Sequence, residues 1–274
     1  MKRLVVGGLA AAGVVGAGLW LRRQTGVQLF PSEPDSNVPL VIPGHVVVER
    51  VIGGEAFAGP LVSTSISPRA KMPLVLLLHG VGADETQLGP YVSSNRPMRL
   101  VFLRGGLASG NGFQWFRARY KGNAAQLLSD VSRAASEIVT VLDQIATQRL
   151  YTERIVVGYS QGAHIAWWLA TTGRVDRVVA MSGALPASFK PPRPSRAVRI
   201  EAVHGMRDPV IPYGAGDATA RAFQAAGYPV HMTTLRLAGH GLSSMGAALA
   251  PAIERALSNS AAGLATKSSS LGAR

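Results

Sequence analysis

The chain has 274 residues, of which 47% are hydrophobic and 16% charged, a globular balance with room for one large α/β domain plus tails. It contains no cysteine, which excludes disulfides, a cysteine nucleophile and thiolate metal sites. The formal net charge is +13, but the lysines and arginines fall singly or in pairs, with no basic helix and no aromatic-interleaved run, so the charge reads as a solvated surface rather than a nucleic-acid footprint.

Met1 to Arg23 reads as a targeting or anchoring segment. Lys2-Arg3 opens it, Leu4 to Leu21 is uncharged and mostly apolar, and Arg22-Arg23 closes it. That run sits at the short end of a membrane span, and a single N-terminal anchor is the expectation, with a cleavable signal as the alternative. Gln24 to Gly44 carries Pro31, Pro34, Pro39 and Pro43 and reads as an extended linker. The valine-rich stretches His45–Ile52 and Leu61–Ile66 are expected to pair as antiparallel strands at the start of the domain.

From Leu74 onward, apolar runs alternate with helical periodicity. Leu74–Leu78, Leu100–Leu103, the run from Ile155, Val178–Met181, Val198–Val203 and Val230–Leu237 read as strands. Ala124–Gln148 has apolar residues at helical spacing, Leu127, Leu128, Val131, Ile138, Val141, Leu142 and Ile145, and Ala163–Thr171, Asp217–Ala226 and Met245–Leu257 are further expected helices. Such alternation predicts a mostly parallel sheet covered on both faces across 45–258, with a disordered Ser/Ala/Gly-rich tail over 259–274.

Gly158-Tyr159-Ser160-Gln161-Gly162 joins a strand to a helix, the context of a nucleophile elbow. Such a serine needs a base, and the base an orienting acid. Asp208 follows one expected strand, and His240, between two glycines, follows the next. Both therefore stand beyond the C-terminal ends of strands, where open α/β sheets place their chemistry. His164, one turn past Ser160, and Asp217, read as a helix N-cap, are the weaker rivals. His79-Gly80-Val81-Gly82-Ala83-Asp84 follows a strand and offers the N–H of Val81 to an oxyanion, with the N–H of Gln161 as second donor. Both are expected to act through backbone position rather than side chain.

Together these motifs, with Gly205-Met206-Arg207-Asp208-Pro209-Val210-Ile211-Pro212, make the chain resemble the serine esterases of the phospholipase/carboxylesterase family, which includes acyl-protein thioesterases. The resemblance covers roughly 73–257. It implies an α/β-hydrolase fold and a metal-free, cofactor-free acyl transfer with Ser160 as nucleophile, His240 as base and acid, and Asp208 as its partner. It implies a substrate site formed by His79, Gly80, Gly82, Trp115, Phe116 and Arg117. Family members carry an acid where this chain has Arg117, with Arg119 close by, a departure that favours an ester bearing a carboxylate or phosphate if the arginines face the site. The expected partner is a small ester, with no nucleic acid and with membrane contact through the N-terminal segment, in a bacterial cell envelope. Thioester or lysophospholipid substrates, and a non-catalytic scaffold, stay open as alternatives.

Overall fold

The computed structural model describes residues 40–52, 71–94 and 96–258. The anchor segment, most of the linker, the expected strand at Leu61–Ile66 and the tail lie outside the described residues. Among those described, no helix is long and apolar enough to cross a membrane.

Seven strands form one sheet. β1 (Val47–Ile52), β2 (Met72–Leu78), β3 (Met98–Leu103), β6 (Tyr151–Tyr159), β7 (Arg177–Met181), β8 (Arg199–Gly205) and β9 (Val230–Leu235) are ordered β1-β3-β2-β6-β7-β8-β9. All neighbours are parallel except β1, which runs antiparallel along β3 with Val47 opposite Leu103. A separate hairpin, β4 (Leu107–Ser109) with β5 (Gly112–Gln114), was not expected from the sequence, because three-residue strands are too short to show an alternation.

β2 shows why the centre of the sheet is a continuous apolar run. Leu74, Leu76 and Leu78 face one core, with the buried stripe of α1 (Ala124–Ala146) and with α2 (Gln161–Leu169). Val75 and Leu77 face a second core, against α5 (Leu249–Leu257). Both faces are covered, so a strand that alternates in direction still needs apolar residues at every position. Asn123 caps α1 by accepting from the Gln126 N–H at 3.0 Å.

Two helices differ from expectation. α3 spans Tyr213–Ala226 and starts directly after Pro212, so Asp217 lies inside it, ion-paired with Arg221, and caps nothing. The last expected helix, Met245–Leu257, begins only at Leu249 as α5, preceded by a short α4 (Leu242–Met245) and a 3₁₀ turn over Gly246–Ala248. Pro251 supplies the reason: it has no N–H for the interior of an unbroken helix, and the break puts it in the first turn of α5, where none is needed.

Near the N-terminal ends of β3 and β6, Glu49 of β1 is ion-paired with Arg99 of β3 and accepts from Arg149 at 2.7 Å through both carboxylate oxygens. Burial would raise the Glu49 pKa, but the two guanidinium groups outweigh it and hold the carboxyl below its ordinary value.

Candidate active site

The site forms at the C-terminal ends of β2, β6, β8 and β9. Ser160 follows β6 with φ 51° and ψ −112°, a left-handed backbone that a serine adopts only when its surroundings impose it. Crowding imposes it here. A Cβ on Gly158 would lie 2.2 Å from the carbonyl oxygen of Gly162, and one on Gly162 would lie 2.2 Å from that of Leu78. The Ser160 N–H donates to the Met181 carbonyl at 2.9 Å, so the turn is also tied to β7. The hydroxyl is thereby lifted to the sheet edge at the start of α2.

His240 and Asp208 meet this serine. His240 Nε2 is 2.9 Å from Ser160 Oγ, and His240 Nδ1 is 2.7 Å from Asp208 Oδ2. With its Nδ1 proton directed at Asp208, the ring leaves Nε2 free to accept the serine proton. Asp208 Oδ1 accepts from the N–H groups of Val210 and Ile211, each at 2.9 Å. Burial would raise the Asp208 pKa, yet hydrogen bonds from His204, His240 and the Ile211 N–H outweigh it and hold the carboxyl well below the usual range. The carboxylate therefore stays charged beside the imidazole.

Three side chains around this relay were not assigned roles from the sequence. His204 Nε2 donates to the Ile211 carbonyl at 2.9 Å and lies 3.4 Å from Asp208 Oδ2, bracing the acid loop from below. The Tyr159 hydroxyl donates to the His240 carbonyl at 2.7 Å, and its ring packs 5.5 Å from the imidazole. Burial, with the Asp208 charge behind it, pushes the Tyr159 pKa up to about 12, so the phenol remains a donor. Gln87 accepts from the Gly80 N–H at 2.8 Å. Only Gln87 had a sequence signal, the Asp84-x-x-Gln87 spacing of a capping box.

The loop after β2 is held so that one donor stays free. The Gly80 N–H is taken by Gln87, and the Gly82 N–H by the Phe113 carbonyl at 2.8 Å. Among the described residues the Val81 N–H between them meets no acceptor, and neither does that of Gln161 in the first turn of α2. These are the two donors expected of an oxyanion site.

Gln161 also acts through its side chain, contrary to expectation. Its Oε1 accepts from the Trp115 N–H at 2.7 Å, and its Nε2 donates to the Phe116 carbonyl at 2.8 Å. Trp115 in turn donates from Nε1 to the His79 carbonyl at 2.9 Å. His79 donates from Nδ1 to the Gly80 carbonyl at 2.7 Å and accepts from the Gly105 N–H at 2.9 Å. Burial lowers its pKa, which suits this neutral, doubly engaged ring.

Of the residues expected at the substrate, Phe116 lines a cavity of about 370 Å³ with Ser160, Val81 and Gln161. His79 and Trp115 are buried behind it, and Gly80 and Gly82 only flank Val81 in the loop. Arg117 is exposed and outside the lining; Arg119 and Lys121 line the cavity instead. The rival base His164 lines the same cavity, but its Nδ1 is 2.5 Å from the Ala184 carbonyl, its ring stacks on Tyr120, and burial lowers its pKa to about 4. Among the described residues, no group of three or more His, Asp or Glu side chains is placed to hold a metal ion.

The sequence model of the phospholipase/carboxylesterase family matches residues 62–252, more than half of the chain. The chain belongs to that family. Within it, acyl-protein thioesterase 1 of Debaryomyces hansenii is 27% identical over 150 residues, covering 50% of this chain and 62% of that protein. The match thus spans less than two thirds of the curated relative's length. The Bacillus cereus carboxylesterase superimposes with a TM-score of 0.59 at 20% identity, covering 77% of this chain and 94% of that one. Arabidopsis thaliana SOBER1 gives 0.56 at 18%, covering 69% and 100%. At these identities the structural likeness establishes the α/β-hydrolase fold of this phospholipase/carboxylesterase family member, and its chemistry rests on its own residues.

Proposed function

We propose that this protein is a serine esterase that cleaves carboxylic esters of short to medium acyl chains through an acyl-serine intermediate. The observation that carries the reading is the continuous relay from Asp208 through His240 to Ser160, with contacts of 2.7 and 2.9 Å. Ser160 Oγ attacks the ester carbonyl as His240 Nε2 takes its proton, and Asp208 stabilises the imidazolium. The tetrahedral oxyanion is met by the N–H groups of Val81 and Gln161, each of which contributes about 3 kcal/mol in comparable sites. His240 then protonates the departing alkoxide. A water molecule repeats the sequence on the acyl-enzyme, with His240 now as base, and releases the acid.

A cavity of about 370 Å³ supports a small ester, standing at the low end of the range of roughly 300–1,000 Å³ for small-molecule sites. A thioester or lysophospholipid substrate is the second reading, favoured by the likeness to a yeast acyl-protein thioesterase. The basic-flanked apolar run of Met1–Arg23 supports tethering at a cell-envelope membrane.

The test compares the protein with Ser160→Ala on p-nitrophenyl esters and acyl-thioesters of increasing chain length. The parent should turn over short to medium oxygen esters, and the variant should lose activity by several orders of magnitude. A folded parent that is inert on every ester and unlabelled by a fluorophosphonate would leave a non-catalytic scaffold as the better description.

A further inference from the structure

The loops that carry the catalytic groups also carry most of the exposed apolar surface. Of the six exposed large hydrophobic side chains among the described residues, four stand here: Leu237 at 76% exposure, Met206 at 50%, Val210 at 48% and Val81 at 38%. They are neighbours in space as well. The Met206 N–H donates to Leu235 O at 2.9 Å and the Arg207 N–H to Ala238 O at 3.0 Å, joining the Asp208 loop to the loop of Leu237 and His240. Val81 and Val210 line one cavity with Ser160, and Lys121 Nζ donates to Pro209 O at 3.0 Å. The result is a ring around the mouth of the site.

The charge on this ring has one sign. Arg117, Arg119, Lys121, Arg207 and Arg236 are exposed on it, and among the described residues none is paired with a carboxylate. Asp84 is the one exposed carboxylate of these loops, and it is occupied by the N–H and hydroxyl of Thr86 at 2.9 and 2.7 Å. Asp208 is fully covered. Cations from three separate loops are therefore gathered by the fold, interleaved with apolar side chains.

We propose that this rim is a docking surface for an anionic lipid bilayer, which presents the mouth of the site directly to the membrane. Leu237, Met206, Val210 and Val81 would sit at the boundary between headgroups and acyl chains, with the five cations among anionic headgroups. The pattern favours lipid over nucleic acid, because no Phe, Tyr or Trp side chain among the described residues is exposed to stack on a base. The docking requires neither turnover nor insertion of Met1–Arg23, so it stands or falls separately from the esterase reading.

The absence of cysteine allows a site-specific test in the full chain. Leu237→Cys and, as a control near the opposite end of the strands, Thr147→Cys are each labelled with an environment-sensitive nitrobenzoxadiazole fluorophore. The probes are vesicles of phosphatidylcholine alone and of equal parts phosphatidylcholine and phosphatidylglycerol. The label at 237 should shift to the blue and brighten severalfold on the anionic vesicles only, while the label at 147 stays in water. Adding Arg207→Gln and Arg236→Gln should weaken this response about 25-fold, at about fivefold per cation. A label at 237 that stays in water on anionic vesicles, even while the protein co-sediments through its N-terminal segment, overturns the proposal. Equal responses at 237 and 147, or on neutral and anionic vesicles, overturn it as well.

Discussion

Replacing Gln161 with leucine keeps its backbone N–H at the start of α2 and removes only the side-chain amide. Two hydrogen bonds would go, to the Trp115 N–H at 2.7 Å and the Phe116 carbonyl at 2.8 Å. Gln161 is 4% exposed, so water cannot replace the amide at either group. A buried polar group left without a partner costs about 1–3 kcal/mol, so two in one strand of loop put the loss near ~3 kcal/mol after relaxation. For a domain of this size that corresponds to a fall in Tm of roughly 6–12 °C. Because Phe116 lines the cavity and Trp115 holds the His79 carbonyl, the loosened loop should also lower kcat/KM on p-nitrophenyl butyrate by about 10–100-fold, each tenfold being about 1.4 kcal/mol. Thermal unfolding and steady-state kinetics on the same preparation read both numbers. An unchanged Tm with unchanged kcat/KM would mean that the amide is idle and that Gln161 works through its backbone alone. An unchanged Tm with activity as low as that of Ser160→Ala would instead place the amide at the reacting atoms.

Other expectations follow from the same geometry. Gly158→Ala forces a Cβ to within 2.2 Å of a backbone oxygen and should destabilise by about 1–3 kcal/mol or more, read as Tm, with loss of activity from the displaced elbow. Asp208→Asn should keep the fold but lower kcat about 10⁴-fold by allowing the wrong imidazole tautomer, and circular dichroism alongside kinetics separates the two effects. Glu49→Gln removes the carboxylate that Arg99 and Arg149, which are 4% and 2% exposed, share, a loss of about 3–5 kcal/mol at neutral pH. The Glu49 carboxyl titrates lower in the folded chain than its ordinary 4.5, so its contribution is fully present above that value and is lost as pH falls through the depressed folded one. The Tm gap between parent and variant should accordingly close in acid, and a gap independent of pH would contradict the ion-pair account.

The relay was legible in the sequence because each of its members follows a stretch that reads as a strand, a continuous apolar run before Ser160 and β-branched stretches interrupted by polar residues before Asp208 and His240. Ser160, Asp208 and His240 needed no side-chain coordinates to be placed on one edge. Much of what stood behind them was not legible, because the contacts of Tyr159 and Gln161 join residues far apart in the chain. Tyr159 occupies the variable position of its motif, and nothing local marks it as the donor to His240, 81 residues later. Gln161 reads as a backbone donor until the Trp115 loop is seen folded against it, 46 residues away in sequence. The grouping of the exposed cations was not legible either: Arg117, Arg119 and Lys121 are close in sequence, but Arg207 and Arg236 come from two later loops that only the return of successive strands brings to the same end of the sheet. Helix boundaries went astray where proline chemistry decided them, at Pro212 and Pro251.

The base of the relay stands just beyond an edge strand. β9 ends the sheet among the described residues, is bonded only to β8, and has no fully buried residue. Local opening of such an edge requires less free energy than melting the centre around β2 and β6. Detachment of β9 would carry His240 away from Ser160 while the rest of the sheet remained folded. Working lifetime at elevated temperature would then be set by one peripheral strand rather than by the core, and activity would fade reversibly at temperatures where the circular dichroism of the protein is still native.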